Sequence, residues 1–186
     1  MKKILFTAAL MLTACFVQAQ ESAVKAAKSN KAKPEEAAKI IEPALTNPET
    51  ANDPETWKLA GDFQKAIYDD ENMKLFLPGG KADTTKLYNS LAKMYDYYLK
   101  CDEVEQAKVK SGEMKKPKFR KKNAEVLMKL RPNLTNGGSD YYNNGDYAKA
   151  MKFFGMFVDV VNEPIFSETP AVKQDTLIPL IACYAT

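Results

Sequence analysis

The chain has 186 residues, 45% hydrophobic and 27% charged, with a net charge of +3 that falls to +1 if processing removes Lys2 and Lys3. Such length and apolar content suit one packed domain, and the near-neutral charge excludes a global electrostatic footprint for nucleic acid. The chain holds no histidine, which excludes Ser-His-Asp and Cys-His nucleophiles, imidazole acid–base chemistry and His-ligated zinc.

The N-terminus, MKKILFTAALMLTACFVQAQES, sets Lys2 and Lys3 before an apolar run from Ile4 and ends in small and polar residues. That is the layout of a secretory signal peptide, and at roughly 14 apolar-rich residues it is short for a transmembrane span. Residues 1–19 are read as the signal, cleaved after Ala19, where Val17-Gln18-Ala19 resembles a small-x-small site. The alternative is lipidation at Cys15, because Leu12-Thr13-Ala14-Cys15 resembles a bacterial lipobox, although Phe16 and Val17 continue the apolar run past it. Both routes lead out of the cytoplasm, to the periplasm or the outer membrane. There, Cys101 and Cys183 meet an oxidising compartment. With no Cys-x-x-Cys and a place on separate predicted helices, they read as small core residues.

The rest, residues 20–186, reads as helices throughout, with no sustained strand alternation. ESAVKAAKSN is a short Ala-rich helix. Pro34 starts the next, with Glu35 and Glu36 favouring its positive end. Asp53-Pro54 is an N-cap and N1 pair for PETWKLAGDFQKAIYDD, and Pro78-Gly79-Gly80 breaks the chain. A longer helix is expected from about Thr84 to Ala107, with Leu87, Tyr88, Leu91, Met94, Tyr95, Tyr98 and Leu99 on one apolar face. Pro117 is expected to open the following helix, which Pro132 ends or kinks.

Residues 136–154, NGGSDYYNNGDYAKAMKFF, hold the most specific pattern. Asn143-Asn144-Gly145 is a helix stop, because glycine takes the left-handed conformation without steric cost, and Asp146 caps the helix that follows. Gly138 and Ala150 are small where the two helices approach, with Tyr141 and Phe154 filling the space around them. The second helix carries two apolar stripes: Tyr147, Ala150, Met151, Phe154, Val158 and Val161 form the first, taken as the hairpin face. Phe153, Met156, Phe157 and Val160 form the other, which needs a second neighbour, as in stacked helical repeats.

The spacing Gly138-x-x-Tyr141-x-x-x-Gly145-Asp146-Tyr147-x-x-Ala150-x-x-x-Phe154, with Pro164 beyond, resembles the helix–turn–helix unit of the tetratricopeptide repeat (TPR) family. The clearest repeat covers 132–164. Ala37, Ile41 and Ala44 resemble the second helix of a partial repeat at 21–48, and Trp57, Ala60 and Gly61 the start of another at 53–107. The interval from Gly61 to Gly138 exceeds two units of about 34 residues, so the middle is a diverged helical insert. The resemblance implies an all-α fold of hairpins stacked as a short right-handed solenoid. It also implies a non-catalytic scaffold, without cofactor or metal, whose groove binds another envelope protein or peptide. The alternatives are a glycan-binding or nutrient-uptake outer-membrane lipoprotein and the N-terminal segment of a larger enzyme or sensor.

Candidate contact residues follow. Tyr97 and Tyr142 lie off the core stripes and present rings to a groove. Residues 108–122 hold eight Lys or Arg against Glu113 alone; Lys115, Lys116, Lys118, Arg120, Lys121 and Lys122 are a candidate anion patch, and a solvated helix face is the plainer reading. No loop has calcium-ligand spacing, and no carboxylate pair stands out for catalysis. In the last segment, DTLIPLIACYAT, Leu177, Leu180, Ile181 and Tyr184 share a face, as in the first helix of another repeat. The array is therefore expected to be incomplete at its C-terminus and to continue past Thr186 or be completed by a partner.

Overall fold

A computed structural model describes residues 22–167. The signal segment with Cys15, together with Cys183 and the terminal apolar segment bearing Leu177, Leu180, Ile181 and Tyr184, lies outside them. Among the described residues all regular structure is helical. The elements in chain order are α1 (22–29), α2 (Pro34–Ile41), α3 (Pro48–Ala51), α4 (Pro54–Lys74), α5 (Thr84–Ser111), α6 (Arg120–Leu130), α7 (Pro132–Asn143) and α8 (Tyr147–Asp159). Short 3₁₀ turns follow α2 and α8. No described helix is long and apolar enough to cross a membrane.

The spine is the antiparallel hairpin α4–α5. Asp53 caps α4 by accepting from the Glu55 amide at 2.9 Å, and Asp83 caps α5 by accepting from the Lys86 amide at 2.9 Å. The two helices meet at Pro54 with Cys101, Gly61 with Tyr98 and Glu71 with Asp83. α5 runs a turn beyond the expected end at Ala107, to Ser111, where Gly112 adopts φ +82° and stops it. The region from Pro54 to Ser111 is thus a single hairpin of two long helices, 21 and 28 residues.

α6 begins at Arg120, not at Pro117, and the reason lies on α5. The Glu105 carboxylate, fully buried, accepts from the amides of Lys118 at 2.6 Å, Phe119 at 2.8 Å and Arg120 at 3.1 Å. An anion thereby satisfies the orphan donors at the positive end of α6. α6 ends at Leu130 and α7 starts at Pro132, so the proline places a break of one residue, Arg131. Arg131 donates from Nε to the Phe157 carbonyl at 3.0 Å and stacks over that ring at 3.9 Å, satisfying the last turn of α8.

Two apolar clusters flank the spine. The smaller packs Ala27, Ala37, Ile41 and Ala44 against Leu59, Ala60 and Phe63 on the first half of α4. The larger joins Tyr68, Leu87, Leu91, Tyr95 and Tyr98 to Leu127, Leu134, Tyr141, Phe153, Phe157 and Ile165. Each such side chain, fully buried, contributes about 1.5–3 kcal/mol. Tyr95, 1% exposed, donates its hydroxyl proton to the Leu127 carbonyl at 2.5 Å, so its polar end is satisfied inside that core.

The stripe on α8 taken as the hairpin face packs only in part: Ala150 is buried and Phe154 lies against Gly138, but Tyr147 and Met151 are 62% and 63% exposed, and the other stripe sends Phe153, Phe157 and Val160 into the core. Both stripes are apolar, so periodicity alone does not distinguish them. α5 supplies Tyr88, Leu91 and Tyr95 to one side only, and that side buries Phe153.

Candidate functional site

The exposed side of α5 forms the floor of a long depression. One wall is α2, through Glu35, Ala38, Lys39 and Glu42; the other is α8, through Lys152. This section has a volume of about 720 Å³ and exposes Lys86, Asn89, Lys93, Asp96 and Tyr97 along its floor. A second depression shares Asp96 and Lys152 with it and is lined further by Leu99, Met151, Gly155 and Met156. A third, sharing Asp96 and Leu99 with the second, is lined by Lys100, Glu103, Pro164 and Ile165. One half is therefore charged and the other largely apolar.

The charged half is built by a network that ties three helices. Lys86 on α5 meets Glu35 on α2 at 2.9 Å and Glu71 on α4 at 3.1 Å. Glu71 also accepts from Lys74 at 2.8 Å and from the Asp83 amide at 2.9 Å. Burial alone would raise the Glu71 pKa, but the bonds from Lys74, Asp83 and Lys86 outweigh it and hold it near 2. Glu35, first, and Glu71 raise the pKa of Lys86. Lys39 and Lys93 make no ion pair among the described residues, so their charge is open to a ligand. Asp96 faces solvent, yet the walls displace enough water to raise its pKa, with Lys152 opposing. The groove thus carries fixed cations, an acid of tempered charge and an aromatic ring.

Tyr97 is that ring. It is half-buried, packs against the N-terminal cluster and lies 5.9 Å from Trp57; the surrounding protein raises its pKa, with Glu42 and Asp96 adding to the effect. Tyr142 is elsewhere: 42% exposed at the α7–α8 turn, it pairs edge-on with Tyr147 at 5.3 Å and lines no part of this depression. The structure does not bring the two tyrosines together.

The repeat-motif residues meet at the α7–α8 crossing. A Cβ on Gly138 would stand 2.5 Å from the Phe154 ring, and Gly145 adopts φ +78° in the turn. Tyr141 contacts Phe153 at 5.4 Å and Tyr88 at 6.0 Å, while Ala150 is fully buried. Gly137, which sequence reasoning passed over, also faces the core: a Cβ there would meet Phe153 at 2.8 Å and Tyr88 at 2.9 Å. Its signal was the Gly137-Gly138 pair, of which the family spacing selects only the second.

Lys115, Lys116, Lys118, Lys121 and Lys122 lie at the α5–α6 junction, at or near the surface. Arg120 is a correction to that patch. It is 9% exposed, with Nη1 3.5 Å from Asp102 and Nη2 donating to the Pro164 carbonyl and to the Ser167 hydroxyl. Its own amide is the third held by Glu105, and its side chain is turned inward to close the α6 end on the Pro164–Phe166 turn. Cys101 is fully buried, its thiol donating to the Pro54 carbonyl at 3.2 Å. Burial, with Glu105 adding, pushes its pKa up to about 12, so it is inert as a nucleophile at neutral pH. No cluster of potential metal ligands occurs among the described residues. Comparison with protein-family models, with curated proteins and with solved structures gives no match to this chain.

Proposed function

We propose that the chain is an exported, non-catalytic, TPR-like scaffold that holds a segment of another envelope protein in the groove floored by α5. In this reading the α7–α8 hairpin is one repeat unit, and α4–α5 is an enlarged hairpin stacked beside it in a short right-handed array. The observation that carries it is the row of adjoining depressions along α5, between α2 and α8, that share Asp96 and run from a charged end to a more apolar one. An extended or helical peptide with a polar end and an apolar end complements such a surface. Export to the periplasm or outer membrane follows from the N-terminal layout.

The test is site-specific photo-crosslinking in envelope extract. A cross-linker at Lys93 or Tyr97 is expected to capture the same protein, and one at Glu125, on exposed α6 surface, to capture none. Lys93→Glu with Lys152→Glu is expected to abolish the adduct without changing the melting temperature. Equal capture from the groove and from Glu125 would overturn the reading. A second reading, glycan binding by a nutrient-uptake lipoprotein, is favoured by one observation, the exposed Tyr142–Tyr147 pair. Oligosaccharide-dependent quenching of tyrosine fluorescence that disappears in Tyr147→Ala would support it in place of the scaffold.

A further inference from the structure

Three features that work against stability meet in the middle depression, a space of about 400 Å³ between α5 and α8. The first is Gly155, in the interior of α8, where a glycine weakens a helix. The other helical glycines among the described residues have a packing reason, since Gly61, Gly137 and Gly138 each receive an aromatic ring. A Cβ on Gly155 would meet nothing nearer than Asp159 Oδ2, at 4.0 Å, so the space beside its backbone is open. The second is Asp159 itself, the last residue of α8, where the helix dipole disfavours an anion. The third is Met151, one turn before Gly155 on the same face and 63% exposed. Local rules broken together at one place, with no partner inside the fold, mark a surface that faces something outside it. The walls give the chemistry. Leu99, Met151 and Met156 are apolar, and Asp96, Asp159 and Glu163 add three carboxylates against Lys152 alone. None of these three acids makes an ion pair among the described residues, whereas Glu103 in the adjoining depression is neutralised by Lys100 at 2.7 Å.

We propose that this depression receives a lysine or arginine side chain of the bound protein segment, set between apolar residues of that segment. The proposal rests on the groove reading and adds the chemistry of its partner. The aliphatic stem of the basic residue lies along Leu99, Met151 and Met156, passing the bare backbone at Gly155, and its cationic head is drawn to the carboxylates of Asp96, Asp159 and Glu163. Long basic side chains bury their stems on apolar surface while the head stays polar, and glycine is the residue that lets a ligand approach a backbone closely. The three carboxylates do not converge as metal ligands do, which suits a head with several N–H donors better than a bare cation. Charge also argues against the chain's own C-terminal residues as the occupant. Residues 168–186 carry Glu168 and Asp175 against Lys173 alone, and an acidic segment would desolvate the carboxylates without compensating them. Because the acids are partly exposed, binding should weaken as salt rises.

The test is NMR on the full chain, isotope-labelled at its methionine methyl groups, with the Met151 and Met156 signals assigned through Met151→Leu and Met156→Leu. The probes are the acetylated, amidated peptides Leu-Lys-Leu, Leu-Gln-Leu and Leu-Glu-Leu. Leu-Lys-Leu is expected to shift both signals saturably, Leu-Gln-Leu to bind about fivefold more weakly and Leu-Glu-Leu more weakly again. Asp159→Asn with Glu163→Gln should bring Leu-Lys-Leu and Leu-Gln-Leu to equal affinity. Gly155→Ala should raise the melting temperature, since no described atom stands where its Cβ would go, and yet weaken Leu-Lys-Leu about tenfold. A merely structural glycine would not give those opposite signs. Equal affinity of the parent chain for Leu-Lys-Leu and Leu-Gln-Leu, no shift with any peptide, or an affinity unchanged in Gly155→Ala overturns the proposal. If cross-linkers at Lys93 and Tyr97 still capture one protein, the groove reading survives that result; if they capture none, both fall. Two further results would also overturn it. Met151 and Met156 signals that change on dilution of the peptide-free chain would make the occupant a second copy. Signals broadened, before any peptide is added, by a spin label on Cys183 in a Cys15→Ala chain would make it residues 168–186.

Discussion

The two hairpins α4–α5 and α7–α8 solve one problem in two ways. In each, a glycine on the first helix receives an aromatic ring from the second: Gly61 takes Tyr98, and Gly138 takes Phe154. In each, an aspartate caps the second helix, Asp83 in one and Asp146 in the other. The rings differ in freedom. Tyr98 is 1% exposed, and its hydroxyl donates to Asp62 at 2.7 Å, whereas Phe154 is only partly buried. The turns differ as well. Gly145 and Asp146 close α7–α8 by local backbone geometry, while the longer connection of α4–α5 depends on Glu71 reaching across to Asp83. The lesson is that a close crossing is rigid where its ring is pinned at both ends, and forgiving where one end meets solvent.

Gly61→Ala should give the largest effect. A Cβ there would overlap Cδ1 and Cε1 of Tyr98 and stand 3.2 Å from Cζ, and the pinned ring has nowhere to go. Even after the helix-propensity gain of about 1 kcal/mol, a net loss of about 3 kcal/mol is expected from overpacking. Thermal unfolding measures it, and a Tm within error of the parent would break the comparison at its stronger half.

Ala150→Leu adds volume at a fully buried position of the second hairpin and should cost about 2 kcal/mol. Chemical denaturation is the check. A loss equal to that of Gly61→Ala would show that the second hairpin is no more forgiving than the first.

Next comes pH. The folded-state pKa of Glu71, near 2 against an ordinary 4.5, is lowered, so its contribution is present above pH 4.5 and is lost as pH falls toward 2. That contribution is about 1 kcal/mol, because Lys74 and Lys86 are partly exposed and screened. Stability measured between pH 5 and pH 2.5 should fall less steeply in Glu71→Gln than in the parent. Parallel curves would remove Glu71 as the clamp of the first turn.

Gly138→Ala should have the smallest effect, within about 0.5 kcal/mol, because the helix-propensity gain offsets the displacement of a movable ring. A loss as large as that of Gly61→Ala would mean that Phe154 is held as tightly as Tyr98.

Helix existence was legible wherever a local cause acts on neighbouring residues. Asp53-Pro54, Asp83, Gly145 and Asp146 work through backbone groups within a few positions, so their effect is readable without a fold. Helix limits were less legible where the cause is remote: α6 starts at Arg120 because Glu105, on another helix, gathers its first amides. In the candidate site, Tyr97 was identified from its place off the core stripe. The groove around it was not, because α2 and α8 lie far from α5 in sequence and only packing sets them on either side of it. The same remoteness placed Arg120 among surface lysines in the sequence reading, when its partners are Asp102 and the Pro164 carbonyl.

By itself the sequence determined the helical character of the described residues, their turns and their caps, since these rest on propensities and hydrogen bonds spanning a few residues. Only the tertiary structure decided which apolar stripe of α8 is core. Phe153 and Phe154 are adjacent and equally apolar, and burial depends on which one meets Tyr88 of α5. It also decided which apolar residues stay in water. Leu75, Phe76 and Leu77 are as hydrophobic as any core residue, but the tight turn at Gly79 and Gly80 and the Glu71 clamp leave them no neighbour among the described residues to bury them. Hydrophobicity is a property of the residue, and burial is a property of what the fold brings beside it.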